Sequence, residues 1–404
     1  MVGGKTVGGK TVAKHILVIS NGHGEDLNAS LVAQALMQAD PSVQVSALAI
    51  VGAGNAYRRL GIPLIAPTQT MPSGGIFYTS QVALAKDLVS GLPLLTWQQI
   101  LAARAAGSYV DLVLATGDIV PVSFARLTGR PYCSFIVSTS SYYEGQLHFP
   151  WFMERLLRSP RCRRIFTRDA FTAQDLNQRG IDKALFAGYP IMDTLSPTGK
   201  DLALIPDVPM VALLPGSRLP EACHNLVLQL QLCRELVQWQ PIQFRAALIP
   251  AITETELVAA VQAAGCDYRG EGVVAIADAP ILRCYRDAFP DILQQCHLAI
   301  GMAGTAVEQA VGLGKPVVQI PGRGPQFTYR FADAQMRLLG TSVQTVGDRP
   351  ATPAILQQAA QTIIRTLQNK EYLQTCLANG KERVGAAGGS AQLAQQILSV
   401  LCGL

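Results

Sequence analysis

Two stretches in the second half of the chain hold residue types suited to a phosphate: Val211-Ala-Leu-Leu-Pro-Gly-Ser-Arg218-Leu-Pro-Glu221 and Gly301-Met-Ala-Gly-Thr-Ala-Val-Glu308. Each reads as an apolar strand running into a small-residue turn that opens a helix. Such a turn exposes backbone N–H groups at a helix N-terminus, which favours an anion. Two of them imply a diphosphate-bearing ligand. Gly216, Ser217 and Arg218 in the first turn, with Gly304, Thr305, Ala306 and Glu308 in the second, suit a nucleotide. The guanidinium would meet phosphate charge and the carboxylate ribose hydroxyls. A cation in the first turn of a helix opposes the helix dipole, and a bound anion would remove that conflict. Glu221 can pair with Arg218 or cap the helix, and Glu308 can equally be a plain dipole partner. Pro321-Gly-Arg323-Gly-Pro-Gln-Phe327 is a further Gly/Pro-rich turn. It could close Arg323 over a base or sugar, or be an ordinary strand-to-helix link.

The first half offers groups for proton transfer. Ser20-Asn-Gly-His23-Gly-Glu25-Asp26-Leu-Asn28 sets a Gly-His-Gly turn between a strand and a helix. His23 or Glu25 can act there as a general base or bind sugar hydroxyls; the alternative is a plain turn capped by Asp26 or Asn28. Leu114-Ala-Thr-Gly117-Asp118-Ile-Val-Pro121 puts a carboxylate directly after another apolar strand. Asp118 can take a proton from an attacking hydroxyl or cap a helix beginning near Pro121.

Arg155, Arg158, Arg161, Arg163, Arg164 and Arg168 form a dense basic run beside Trp151, Phe152 and Phe166. Basic and apolar groups together suit an anionic membrane surface or a phosphorylated lipid, with Trp151, Phe152, Arg155 and Arg158 as the contacts. The alternative is a solvated helix face followed by a strand. Nucleic acid is not expected, because the run lacks a recognisable module and the rest of the chain is not basic. The apolar region 74–97 reads either as a lipid-facing helical hairpin or as buried core helices.

The elements that must position these groups follow from length and pattern. A chain of 404 residues with 49% apolar and 15% charged residues implies two folded domains. Its net charge of +5 permits mild attraction to anions. Nine cysteines without a C-x-x-C pair or a zinc-spaced Cys/His cluster argue for a reduced compartment and no metal site. No apolar run reaches about eighteen residues, and residues 1–14 lack the apolar core of a secretory signal. The expected location is cytoplasmic, peripheral on the inner membrane face. Gly4 to Thr11 matches the P-loop pattern G-x-x-x-x-G-K-T, yet nothing precedes it and a strand follows it. That context, and the tandem Val-Gly-Gly-Lys-Thr, read as a flexible tail.

Short β-rich runs alternate with amphipathic segments, which predicts an α/β fold with parallel sheets. Strands at 16–20, 112–115, 210–214 and 298–300 lead into the four turns. The plan is a tail at 1–14, a first domain at 15–190, a Pro/Asp/Thr-rich linker at 191–209 and a second domain at 210–387. A last helix at 388–404, opened by a Ser cap, could pack back on the first domain. Two doubly wound Rossmann-like domains facing a central cleft would hold a ligand at the carboxyl ends of their strands.

Leu213-Leu-Pro-Gly-Ser-Arg218 with Glu221, Gly304-Thr-Ala-x-x-Glu308, Gly188-Tyr-Pro-Ile-Met-Asp193 and Gly117-Asp118 together resemble the motifs of the lipid-A-disaccharide synthase family, over nearly all of the chain after the tail. At the first helix entry those synthases carry Gly-Glu-x-Ser-Gly-Asp, where this chain has Asn21-Gly-His23-Gly-Glu25-Asp26. That entry is more similar to the Gly-rich entry of the peptidoglycan GlcNAc transferase. Ser138-Thr-Ser-Ser-Tyr142-Tyr143 replaces the synthases' Pro- and Trp-rich acceptor segment. The chain therefore resembles the synthase-related branch. The resemblance implies a glycosyltransferase B fold and inverting transfer of a GlcNAc or acyl-glucosamine sugar from UDP to a lipid-linked acceptor. It implies no cofactor or essential metal. It gives Asp118 a catalytic part and the first domain the acceptor, and leaves the second domain the UDP-sugar. A non-hydrolysing UDP-GlcNAc 2-epimerase and a non-catalytic nucleotide-sugar-binding protein are the rival expectations.

Overall fold

A computed structural model describes residues 6–7, 10–11, 13–69, 92–277, 279–322 and 327–404. The chain divides into two compact units, Met1–Asp193 with Ala387–Leu404, and Thr194–Ala386.

The first unit is built on β1 (His15–Ser20), β2 (Gln44–Ala49), β3 (Leu112–Thr116), β4 (Tyr132–Ile136), β5 (Cys162–Thr167) and β6 (Ala184–Leu185). All neighbours are parallel, in the order β2-β1-β3-β4-β5-β6. These strands are apolar without alternation because helices cover both faces of a parallel sheet; Ile16, Leu17, Val18 and Ile19 are all fully buried. The helices include α1 (His23–Ala39), α2 (Asn55–Arg59), α3 (Leu92–Ala106), α4 (Ile119–Leu127), α5 (Trp151–Arg158) and α6 (Ala170–Gln178).

The second unit holds β7 (Met210–Leu214), β8 (Gln243–Ala247), β9 (Asp267–Gly270), β10 (Val273–Ile276), β11 (Ala279–Tyr285), β12 (Leu298–Gly301), β13 (Val317–Gln319) and β14 (Val343–Thr345). Their order is β9-β10-β11-β8-β7-β12-β13-β14, parallel except at the β9/β10 and β10/β11 pairs. Periodicity misses β9, β11 and β14. β9 is Asp-Tyr-Arg-Gly at an exposed edge, β11 carries Pro280 and Arg283, and β14 is only three residues long. Helices α7 (Glu221–Leu236), α8 (Glu254–Ala263), α9 (Phe289–Gln295), α10 (Thr305–Gly312) and α11 (Tyr329–Leu339) pack on this sheet, followed by α12 (Pro353–Gln368) and α13 (Lys370–Arg383).

Strand order singles out one place in each unit. β1 lies between β2 and β3, and β7 lies between β8 and β12. In an open parallel sheet the crossovers leave in opposite directions at such a point, opening a crevice beyond the carboxyl ends. The four turns named from the sequence follow β1, β3, β7 and β12.

The final helix, α14 (Gly389–Cys402), belongs to the first unit and lies against α1. Its start is not a Ser cap: Gly388 is the cap residue, and no side chain on the helix closes it. Asp193 does so instead, accepting Gly388 N–H with one oxygen and Ser390 N–H with the other, at 2.8 Å. Gly188 meets Gly389 so closely that a Cβ at 188 would stand 2.6 Å from the Gly389 Cα. The Gly188-to-Asp193 segment is therefore the dock of the last helix. The stretch 191–209 is held by its own hydrogen bonds from Thr198 onward. Asp291 binds Thr198 and Gly199, Gln243 binds Ile205 and Val208, and the buried Arg245 binds the carbonyls of Leu202 and Ala203. At the N-terminus, Thr6–Val7 pairs antiparallel with Lys10–Thr11, and β1 follows. Among the described residues, a strand rather than the helix of a P-loop follows Thr11.

Candidate active site

In the second unit the two phosphate-type turns touch. Gly216 has φ of +104°, and a Cβ there would lie 2.9 Å from the Met302 carbonyl oxygen and 3.2 Å from the Phe327 ring. Only glycine permits both that backbone conformation and that approach. Asn225 on α7 donates to the Pro215 carbonyl at 2.9 Å, and Gln335 on α11 donates to the carbonyls of Ala303 and Gly304 at 3.2 Å. Gln319 in turn donates to Gln335. Two buried amides thus hold the two turns from behind. Sequence reasoning missed them, although Asn225 and Gln229 at i and i+4 on an otherwise apolar stripe of α7 were a readable signal.

Ser217 and Thr305 are exposed, and Gly216, Arg218, Gly304, Ala306 and Glu308 are half-buried. The cap of α10 is Gly304, and no side chain caps the helix, a helix start of the kind that suits an anion. Partial burial pulls the Arg218 guanidinium down from its ordinary value, and Glu221 opposes this. The helix of which Arg218 was expected to be the first turn begins only at Glu221, with the Arg218 carbonyl accepting Ala222 N–H at 2.8 Å. Arg323 lies outside the described residues.

In the first unit, His23, Glu25 and Asp118 all stand at the carboxyl edge of β1 and β3. Asp118 is the cap of α4, which starts at Ile119 rather than at Pro121; its Oδ1 accepts Val120 N–H at 2.9 Å and faces the Asn21 amide at 3.5 Å. The Glu25 side chain crosses between the turns: a Cβ at Gly22 would lie 2.8 Å from its Oε2, and one at Gly117 3.2 Å from its Cγ. Burial pushes the Glu25 carboxyl up to about 7, with Asp118 and Asp26 adding to the rise. Beneath it is a buried chain that the sequence did not announce. Ser20 donates to Asp26 Oδ1 at 2.6 Å, and the Tyr57 hydroxyl lies 2.5 Å from the Ser20 oxygen. Burial raises Asp26 to about 7 as well, the Ser20 hydrogen bond opposing. Asp26 is thus a buried core group rather than a surface cap.

The basic run does not form one patch. Arg168 is 4% exposed and lies over the Tyr189 ring, and Phe166 is fully buried. Arg158 pairs with Glu154 at 2.7 Å and binds the carbonyls of Arg179 and Gly180. Arg161 and Arg163 flank the amino end of β5, the edge opposite Glu25 and Asp118. Trp151 and Phe152 remain exposed at 76% and 43%, with Arg155 exposed beside them. Of the apolar region 74–97, residues 74–91 lie outside the described residues. Among those described, no helix is long and apolar enough to cross a membrane.

Two open, parallel-rich sheets, each with its polar turns at the switch point, define a glycosyltransferase B fold. Solved structures agree on that architecture. The UDP-GlcNAc 2-epimerase from Neisseria meningitidis bound to UDP-GlcNAc superposes with a TM-score of 0.58 at 15% identity, over 95% of this chain and all of that one. The calicheamicin glycosyltransferase CalG4 does so with a TM-score of 0.60 at 15% identity, over 96% and 98%. At these identities the likeness is one of fold. No family model matches the chain. By sequence it is similar to the lipid-A-disaccharide synthase of Myxococcus xanthus, 24% identical over 279 residues, 65% of this chain and 69% of that protein. It is similar also to that of Syntrophus aciditrophicus, 25% identical over 249 residues, covering 55% and 59%. The chain is a distant relative of the lipid-A-disaccharide synthases, and the matches span between 57% and 69% of those relatives' length.

Proposed function

We propose that the chain is an inverting hexosyltransferase that moves a GlcNAc or acyl-glucosamine sugar from UDP to a hydroxyl of a lipid-linked acceptor, without a metal or other cofactor. The observation that carries this reading is the contact of the Pro-Gly-Ser-Arg and Gly-Thr-Ala-x-x-Glu turns through Gly216 at the switch point of the second unit. In this reading the N–H groups at Gly216, Ser217, Thr305 and Ala306 and the Arg218 guanidinium meet the charge that grows on the leaving diphosphate. Glu308 takes the ribose hydroxyls. A group of the first unit, from among Asp118, Glu25 and His23, deprotonates the acceptor. Distant kinship with lipid-A-disaccharide synthases supports a lipid-linked acceptor. Trp151, Phe152 and Arg155, with Arg158 held beside them by Glu154, are the proposed face toward an anionic membrane, met from the cytoplasmic side.

A thermal-shift screen across UDP-, GDP- and ADP-sugars tests the donor class: UDP-sugars should stabilise the protein, and a preference for GDP or ADP would refute the assignment. Transfer is tested by UDP release from UDP-GlcNAc with a membrane lipid extract. The second reading, a UDP-GlcNAc 2-epimerase, is favoured by the fold shared with the Neisseria epimerase. Epimer formation from UDP-GlcNAc alone would establish it and exclude the transferase. UDP binding without turnover of any kind would leave the non-catalytic binding protein. Flotation with anionic vesicles at low salt tests the membrane face.

A further inference from the structure

We propose that Glu25, rather than Asp118 or His23, accepts the proton of the attacking hydroxyl; the proposal rests on the transferase reading above. Strand order separates the three. β1 has β2 on one side and β3 on the other, and the switch-point crevice opens between β1 and β3. His23 is exposed, and its ring turns toward the β2 side: a Cβ at Gly52, in the turn after β2, would lie 3.6 Å from its Cε1. Glu25 turns the other way, over Gly22 and Gly117, the two glycines that flank the crevice. Both have φ of +128°; Gly22 presents a bare α-carbon to the carboxylate and Gly117 one to the Cγ of its stem. Asp118 stands at the same edge, but its Oδ1 is committed to Val120 N–H and faces Asn21. It fixes the start of α4 and adds negative charge beside Glu25.

The surroundings suit a neutral-pH base. The titratable groups around Glu25 are Asp26 and His23 on its own helix, Asp118 on the β3–α4 turn and Tyr57 on α2. Desolvation favours the protonated form, a hydrogen bond from Glu25's own backbone N–H opposes it, and the two neighbouring carboxylates add to the rise, which brings the carboxyl up to about 7. In the reaction the acceptor O–H proton passes to Glu25 as the acceptor oxygen bonds to the anomeric carbon. The bond from that carbon to the UDP oxygen breaks, and its electron pair leaves with the diphosphate. The products are the inverted glycoside, UDP and a neutral Glu25, which returns its proton to solvent.

The test compares wild type with E25Q, D118N and H23A across pH 5 to 9, following UDP release from UDP-GlcNAc with the lipid extract. Each variant must first retain the UDP thermal shift. E25Q should lower kcat by about 10²- to 10⁴-fold with KM changed little, and should abolish the acidic limb of the profile near pH 7. D118N and H23A should keep that limb. In ¹³C-glutamate-labelled protein, the carboxyl resonance missing from E25Q should titrate near 7. An E25Q enzyme within tenfold of wild type that keeps the limb overturns the proposal, as does a resonance titrating near 4 or loss of the limb in D118N or H23A alone. A wild-type chain that turns over no UDP-sugar overturns the transferase reading with it, whereas an active wild type with an active E25Q overturns this proposal alone.

Discussion

Replacing Asp26 by Asn should stabilise the first unit above neutral pH. Asp26 is 3% exposed, and among the described residues it has no cationic partner. Its one strong contact is the Ser20 hydroxyl, donated at 2.6 Å. Burial lifts the carboxyl from its ordinary value of 3.8 to about 7, and a difference of that size is worth roughly 4 kcal/mol between the two protonation states. The sign follows from proton uptake. Between about pH 4 and 7 the unfolded chain has lost this proton and the folded chain keeps it, so stability falls as pH rises through the window and is flat above it. Glu25, also raised to about 7, contributes with the same sign. Asn keeps an acceptor for Ser20 and carries no charge to desolvate. The advantage of D26N over wild type should therefore be small near pH 4.5 and grow to about 2–4 kcal/mol by pH 8, a gain of roughly 5–10 °C in the unit's transition. Calorimetry of both proteins from pH 4.5 to 8.5 measures it. A D26N protein less stable than wild type at pH 8, or a difference that does not change with pH, would refute the reasoning.

Three further outcomes follow from the same geometry. Gly216→Ala, forced to φ of +104° with its Cβ 2.9 Å from the Met302 oxygen, should cost about 2–3 kcal/mol and abolish the thermal shift on adding UDP; an undiminished shift would separate this turn from the ligand. Arg218→Ala should weaken UDP binding about 10- to 100-fold, the worth of one charge-assisted contact, measured by calorimetric titration, with the melting temperature of the free protein little changed. Asp193→Ala removes both acceptors at the start of α14 and should cost about 2–4 kcal/mol. Faster hydrogen exchange confined to the first turns of α14 would show it, and unchanged exchange there would refute the docking role.

What could be read along the chain was whatever is local. Pro-Gly-Ser-Arg, Gly-Thr-Ala, Gly-His-Gly and Gly-Asp each announce a strand end by a run of apolar residues followed by a small-residue turn, because backbone conformation and strand burial are set within a few residues. The alternation of such runs with amphipathic segments gave the parallel α/β class for the same reason. The last helix itself was readable, but its closure was not: the sequence offered a Ser cap, and the group that closes the helix start is Asp193, 195 residues away from Gly388. Long-range pairings of this kind carry no local signature.

The arrangement of candidate groups in the first unit depends on those pairings. Ser20 meets Tyr57 across 37 residues and Asn21 faces Asp118 across 97. The chain alone put His23, Glu25 and Asp118 after strands, and the family resemblance preferred Asp118 as the base. Only the order β2-β1-β3 sends His23 to one side of β1 and Glu25 to the crevice, and only burial beside Asp118 and Asp26 brings that carboxyl toward neutrality. The basic run shows the converse: six arginines between positions 155 and 168 are dispersed by a helix, a strand and a buried strand end. Sequence fixes which groups stand at strand ends because neighbouring residues set them. Tertiary structure decides which of those groups share a space and lose their water, and their chemistry is decided there.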